Sequence, residues 1–328
     1  MGLTRKPLPA IAWIFDFGAE KAFPVSLFSI QQSSPRLFEH APLIVVDCGI
    51  SDSMRTWLLS LRRSNLHIIT TNLPESTSVM GGDSSRAASV MRLRIELPQL
   101  LTASIADALI PEFETFLQLD TDTVFLTDPT SRLTEPWAGE DIRCCYEWDW
   151  VGEPRDDQQT FMKFVRPSSF AVADYVEKLP QVADALGVSL GELRTVPTVN
   201  SGVWMARTQG GLSEGWRDQY DGLRQLDATL GTGFLNPYSA EQNALSLAIY
   251  RGTVAPRFMP RRMNNLPPKD PHQWPADVCI AHFISMGKNW HRGAYRLWSD
   301  FRKRAISGGF APASLLMPHL PDPPQYGS

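Results

Sequence analysis

The sequence predicts an α/β fold, a sheet of buried strands separated by helices, and three observations carry that prediction. Short apolar runs rich in β-branched and aromatic residues, at residues 12–15, 43–46 and 67–71, alternate with stretches whose apolar residues recur at helical spacing. A fourth buried run, residues 116–119, leads directly into two aspartates, Asp120 and Asp122, and ligands of open α/β sheets gather at the carboxyl ends of strands. A chain of 328 residues with 43% hydrophobic and 20% charged residues can also bury a large core.

The elements follow in order. The opening MGLTRKPLPAIAWIFDFG carries an apolar run cut by Asp16 and no small-residue cleavage site, so it reads as a first strand rather than a leader. After a Gly-Ile-Ser turn, the stretch from Asp52 places Met54, Trp57, Leu58 and Leu61 on one helical face, with Arg62 and Arg63 near its end. The third run is followed by Pro74 and a Ser/Gly-rich segment, residues 76–85, expected to be a surface loop of the kind that closes over ligands. Residues 87–101 read as helix, with a break or kink expected at Pro98. The second half is interrupted by many prolines and shows no internal repeat. The expected organisation is one domain over residues 1–310, with a nucleotide-binding half to about residue 130 and an acceptor-binding, metal-completing half from 131. Residues 311–328 form a Pro-rich tail that can hold neither a long helix nor an interior strand.

Composition excludes several classes. The net charge of −4 is spread along the chain, so no footprint for nucleic acid stands out. No run approaches the roughly 20 apolar residues of a spanning helix, which leaves peripheral contact as the form a membrane association would take. The four cysteines, Cys48, Cys144, Cys145 and Cys279, lack the spacing of a disulfide framework or a metal knuckle, and a reducing, cytoplasmic setting fits them.

The chemistry centres on FLQLDTDTVFLTDP. In an extended backbone Asp120 and Asp122 would point the same way, and two hard oxygen donors suit a divalent cation such as Mn²⁺ or Mg²⁺. A DxD triplet alone reads more readily as a solvated turn than as a site, but apolar residues flank this one on both sides. His282 follows another apolar run, residues 278–281, and can supply an imidazole ligand or be a half-buried histidine satisfied by a carbonyl. Lys288 can serve a diphosphate as a point charge or be a solvated amine. In CYEWDW, Trp148 and Trp150 can form a sugar-stacking wall or the core face of a strand.

Four ordered segments, spread over most of the chain, resemble glycosyltransferase family 8, the retaining group that includes glycogenin and bacterial lipopolysaccharide galactosyl- and glucosyltransferases. LQLDTDTVFLTDP resembles that family's YLDxD segment, TVNSGVWMAR its FNSGVxxxN, AHFISMGKNW its HFxGxxKPW, and RIELPQLL, starting at Arg94, its RLxLPxLL. The resemblance implies a GT-A fold, in which a Rossmann-like nucleotide-binding sheet merges with a smaller acceptor-binding part. It implies a UDP-sugar donor, Mn²⁺ held by Asp120, Asp122 and His282, Lys288 on the diphosphate and Arg94 near the donor. Asn200 and Ser201 fall in the donor-sugar segment, and SAEQNALS resembles the family's DQDxLN, which places Gln242 near the reacting anomeric carbon. The chain departs from the pattern at Glu241 and Asn243, where aspartates are usual, at Asn289 for proline and at Ser285 for glycine.

The implied reaction is retaining hexosyl transfer to a saccharide or glycoconjugate acceptor. Three other classes fit parts of the pattern: a GT-A enzyme of another family, a nucleotidyltransferase with paired aspartates, and a non-catalytic sugar-binding relative.

Overall fold

The computed structural model describes residues 7–72, 83–146, 180–193, 199–230, 240–265, 276–283 and 292–317. The apolar runs become strands within a residue or two of their expected places: β1 is Ala10–Phe15, β2 Leu43–Asp47, β3 Leu66–Thr70 and β4 Thr115–Leu119. Between them lie the helices α1 (Phe23–Ser33), α2 (Pro35–His40), α3 (Asp52–Ser60) and α4 (Asp83–Ala106). Ser51 caps α3 by accepting from the Met54 N–H, and Met54, Trp57 and Leu58 are the buried face. Helix α4 runs through Pro98 without ending there. A proline removes one backbone donor, and tertiary packing of the flanking turns outweighs that loss: Ile95, Leu97 and Leu101 are fully buried.

The second half adds β5 (Thr123–Phe125), α5 (Thr130–Leu133), β6 (Ile142–Tyr146), α6 (Leu190–Leu193) and β7 (Val199–Arg207). These are followed by α7 (Leu212–Leu230), α8 (Ala240–Tyr250), β8 (Pro256–Phe258), β9 (Ile280–His282) and α9 (Arg292–Ser307). Strands from both halves build one seven-stranded sheet in the order β3-β2-β1-β4-β7-β6-β8. The pairings among β1 to β4 are parallel, whereas β7 runs antiparallel to both β4 and β6. A small antiparallel ribbon of β5 and β9 stands beside it.

Period-two alternation sends each strand's side chains to two cores. Ala10, Ala12 and Ile14 of β1 join one core with Trp204, Trp216 and the α4 residues. Ile11, Trp13 and Phe15 join the other with Phe23, Trp57 and Phe283. Both faces are therefore covered, as a largely parallel sheet requires. The folded body continues past residue 310: Ala311, Leu315 and Leu316 are buried, and the Met317 N–H donates to the Lys21 carbonyl. All four cysteines are buried free thiols. No described helix is long and apolar enough to cross a membrane.

Candidate active site

The candidate cluster forms where β4 ends. Asp120 is the first residue past that strand, and its N–H donates to the Gly202 carbonyl of β7 at 2.8 Å. Residues 121 and 122 then turn rather than continue extended, and the Thr123 N–H returns to the Asp120 carbonyl. The two carboxylates share a side because of this turn, not because of strand alternation. The β5–β9 ribbon pairs Thr123 with His282, and the Phe283 N–H donates to the Asp122 carbonyl. That ribbon delivers a residue 160 positions distant to the acid pair. His282 Nε2 lies 3.2 Å from Asp122 Oδ1 and 3.5 Å from Asp120 Oδ2. One ligand atom from each of the three residues falls within 4.8 Å of the others.

Glycine is required at residue 202 by this geometry. A Cβ there would lie 2.0 Å from Cε1 of His282 and under 3 Å from both ring nitrogens, so the imidazole occupies the space a side chain would need.

Arg94, on α4, enters from the opposite side and is buried. One Nη pairs with Asp120, and the other donates to Glu241 Oε1 at 3.1 Å and Ser201 Oγ at 3.2 Å. Helix α8 contributes Glu241 and Gln242. Ser201 Oγ lies 2.9 Å from Glu241 Oε1, and the Ser201 N–H donates to Gln242 Oε1 at 3.1 Å. Asn200 accepts from the Gly202 N–H through Oδ1. The structure thus brings Arg94, Asp120, Asp122, Asn200, Ser201, Gln242 and His282 into one cluster. Lys288, Trp148 and Trp150, and residues 76–82 of the Ser/Gly-rich segment, lie outside the described residues, while residues 83–85, expected in that loop, open helix α4 instead.

The electrostatics of the cluster are strongly biased. Burial works against the Asp120 charge, but Arg94 and hydrogen bonds from His282 and Gln118 outweigh it and hold the carboxyl at about 2. Burial likewise disfavours a charged His282, yet Asp122 and Asp120 push the imidazole up to about 9. Glu241 goes the other way: burial raises its pKa, and Arg94 and Ser201 only partly offset the effect. Several buried polar atoms here have no hydrogen-bond partner among the described residues, namely Arg94 Nε, Glu241 Oε2 and Gln118 Oε1.

Sequence reasoning missed two participants. Gln118 lies two residues before Asp120 on β4 and its amide reaches Asp120 Oδ1 at 3.4 Å; period-two alternation from Asp120 could have flagged it. Asn264 contacts both Asn200 and His282, and nothing in its sequence setting points there.

A seven-stranded, largely parallel sheet, with the acid pair in the turn after β4 and a late histidine on the antiparallel ribbon beside it, is the GT-A glycosyltransferase fold. The solved structures that share it include galactosyltransferase LgtC in complex with donor and acceptor sugar analogues, at a TM-score of 0.57 and 16% identity over 93% of this chain and 98% of that one. The bifunctional glycosyltransferase WbbM matches with a TM-score of 0.54 and 13% identity over 92% of this chain and 50% of that one. Mouse xyloside xylosyltransferase 1 matches with a TM-score of 0.52 and 12% identity over 87% and 100%. No family model and no curated protein matches the sequence.

Proposed function

We propose that this chain is a metal-dependent retaining glycosyltransferase of the family 8 type, moving a hexose from a UDP-sugar to a saccharide or glycoconjugate acceptor. The observation that carries the reading is the convergence of Asp120, Asp122 and His282 at the carboxyl end of β4 in a GT-A fold. Two carboxylates and an imidazole, with ligand atoms inside 4.8 Å, form a donor set suited to Mn²⁺ or Mg²⁺. When bound, the ion would neutralise charge on the departing diphosphate.

The chain's own groups do the rest. Arg94 fixes Asp120 on one side and Glu241 and Ser201 on the other, so the metal carboxylate and the donor-sugar wall share one rigid cation. Gln242 is steered by the Ser201 N–H and sits half-buried beside that wall, the place for a group that touches the anomeric region without titrating. Burial of Ser201, Glu241 and Asn243 limits water around the sugar. Asp120, Asp122 and Glu241 are each engaged through at least one oxygen by Arg94 or His282, which suits transfer with retention, where the leaving diphosphate takes the acceptor proton. Lys288 would add its charge to that diphosphate.

The test is release of UDP from a panel of UDP-sugars, with and without Mn²⁺, by the natural chain and by Asp122→Ala. Metal-dependent release from one sugar, lost in the variant, is expected. UDP binding without release from any sugar would overturn the assignment as a transferase of this donor class.

A further inference from the structure

Asn264 is buried and lies immediately after a short 3₁₀ turn (Arg261–Met263), next to Asn265, whose backbone is laced to β9. The Asn265 N–H donates to the Ile280 carbonyl at 2.9 Å, and the His282 N–H donates back to the Asn265 carbonyl at 2.9 Å. Its side chain bridges two site residues. Asn264 Nδ2 is 2.9 Å from Asn200 Oδ1, and Asn264 Oδ1 is 3.1 Å from His282 Nδ1.

The polarity of this chain of contacts is set at its far end by a group that cannot reverse. A backbone N–H can only donate, and the Gly202 N–H points at the Asn200 side chain at 2.9 Å, so the atom it meets must be an oxygen. An oxygen in that position obliges Asn264 to offer its amide nitrogen. The other end of the Asn264 amide is then its oxygen, which can only accept, so Nδ1 of His282 must carry a hydrogen. The lone pair of a neutral imidazole is left on Nε2, the nitrogen that faces Asp122 Oδ1 at 3.2 Å.

We infer that Asn264 is a positioning residue for the metal centre: with Asn200 and the Gly202 N–H it fixes His282 as the Nδ1–H tautomer, so that Nε2 is the ligating atom. The inference rests on the metal-binding part of the proposed function. The second ring nitrogen of a metal-bound histidine is commonly held by such a partner, whose loss weakens metal binding through the ligand rather than by contact with the ion.

The experiment measures Mn²⁺ binding by electron paramagnetic resonance on the full chain without nucleotide or sugar, for the natural sequence, Asn264→Leu, Asn264→Asp and Asp122→Ala. Asn264→Leu is expected to weaken Mn²⁺ binding by roughly 10–100-fold. Asn264→Asp keeps an acceptor on Nδ1 but loses the donor to Asn200, so its affinity is expected to lie above that of Asn264→Leu and below that of the natural sequence. In parallel, nitrogen-15 shifts of His282 in the unmutated, Mg²⁺-loaded protein should show the proton on Nδ1, a readout that stands even if a variant fails to fold. A proton on Nε2, or unchanged Mn²⁺ affinity in a folded Asn264→Leu beside a loss in Asp122→Ala, overturns the tautomer assignment alone. Absence of Mn²⁺ binding by the unmutated chain overturns the metal reading and the inference with it.

Discussion

Among the described residues two buried arginines hold carboxylates, and their surroundings are finished differently. At the β6–β8 edge, Arg143 donates through Nε to Glu140 Oε1 at 2.7 Å, through one Nη to the Glu135 carbonyl and through the other to the Pro136 carbonyl. Its plane lies over the Trp137 ring at 4.3 Å, and the second Glu140 oxygen accepts from the Ala138 N–H. At the carboxyl end of β4, Arg94 is just as buried, yet its Nε, Glu241 Oε2 and the nearby Gln118 Oε1 have no partner among the described residues. An unsatisfied buried polar atom costs about 1–3 kcal/mol. A ligand can complete such atoms, and the β4 end keeps three of them close together whereas the Arg143 cluster keeps none among the described residues.

That contrast is most sharply tested by deleting the edge cation. Arg143→Ala would leave the buried Glu140 with only the partly exposed Arg257, 3.8 Å away, as counter-charge and is expected to cost about 3 kcal/mol of stability. The denaturation midpoint should fall accordingly, while turnover per folded molecule stays at the unmutated value. A fall in turnover with unchanged stability would place the edge cluster, not the β4 end, in the chemistry.

The reverse pattern is expected at Gly202. The Cβ of Gly202→Ala would meet His282 Cε1 at 2.0 Å, so the ring must move away from the acid pair. Displacing a ligand by about 1 Å can cost about 100-fold in rate. Metal-dependent donor cleavage should therefore drop by that order, with Mn²⁺ affinity falling alongside it. Unchanged activity would mean that His282 in its observed position is not needed.

Acid titration separates the two regions more gently. Burial raises the Glu140 pKa, but hydrogen bonds from its own N–H, the Ala138 N–H and Arg143 prevail and leave it below the ordinary 4.5. A depressed carboxyl pKa in the folded state contributes stability that is present in full above 4.5 and is lost as pH falls through the lower, folded value. Glu140→Gln should therefore be less stable at neutral pH and show a shallower loss of stability below pH 4.5. Parallel acid limbs for the two proteins would exclude Glu140 as a contributor.

How much of this was legible in the sequence follows from what holds each part together. Strands β1 to β4 and helix α3 were readable because their burial is periodic along the chain, and Asp120, Asp122 and His282 because each ends such a run. Helix α4 was foreseen with a break or a kink left open at Pro98, and the break is ruled out because packing from residues elsewhere in the chain carries the helix through. The reversal of β7 between β4 and β6 has no local signature either, because pairing direction depends on connections rather than composition. Motif resemblance supplied Arg94, Ser201 and Gln242, whose partners lie 26 to 147 positions away. Gln118 stands at period-two spacing from Asp120, whereas Asn264 acts on side chains 18 and 64 positions away and leaves no trace in spacing.

The smallest expected effect concerns Glu241 itself. Burial has already raised its pKa, so its negative charge is costly where it stands, and Arg94 has Asp120 as a second counter-charge. Glu241→Gln keeps an oxygen for Arg94 and Ser201 and removes that charge, so stability should stay within about 1 kcal/mol of the unmutated protein. The amide's other end cannot accept a hydrogen bond as the Glu241 Oε2 can, so kcat/KM for the donor should fall even though the melting temperature hardly moves. A stability loss approaching that of Arg143→Ala would show that the network around Arg94 is closed as tightly as the one around Arg143, and the distinction between an open binding wall and a finished structural ion pair would disappear.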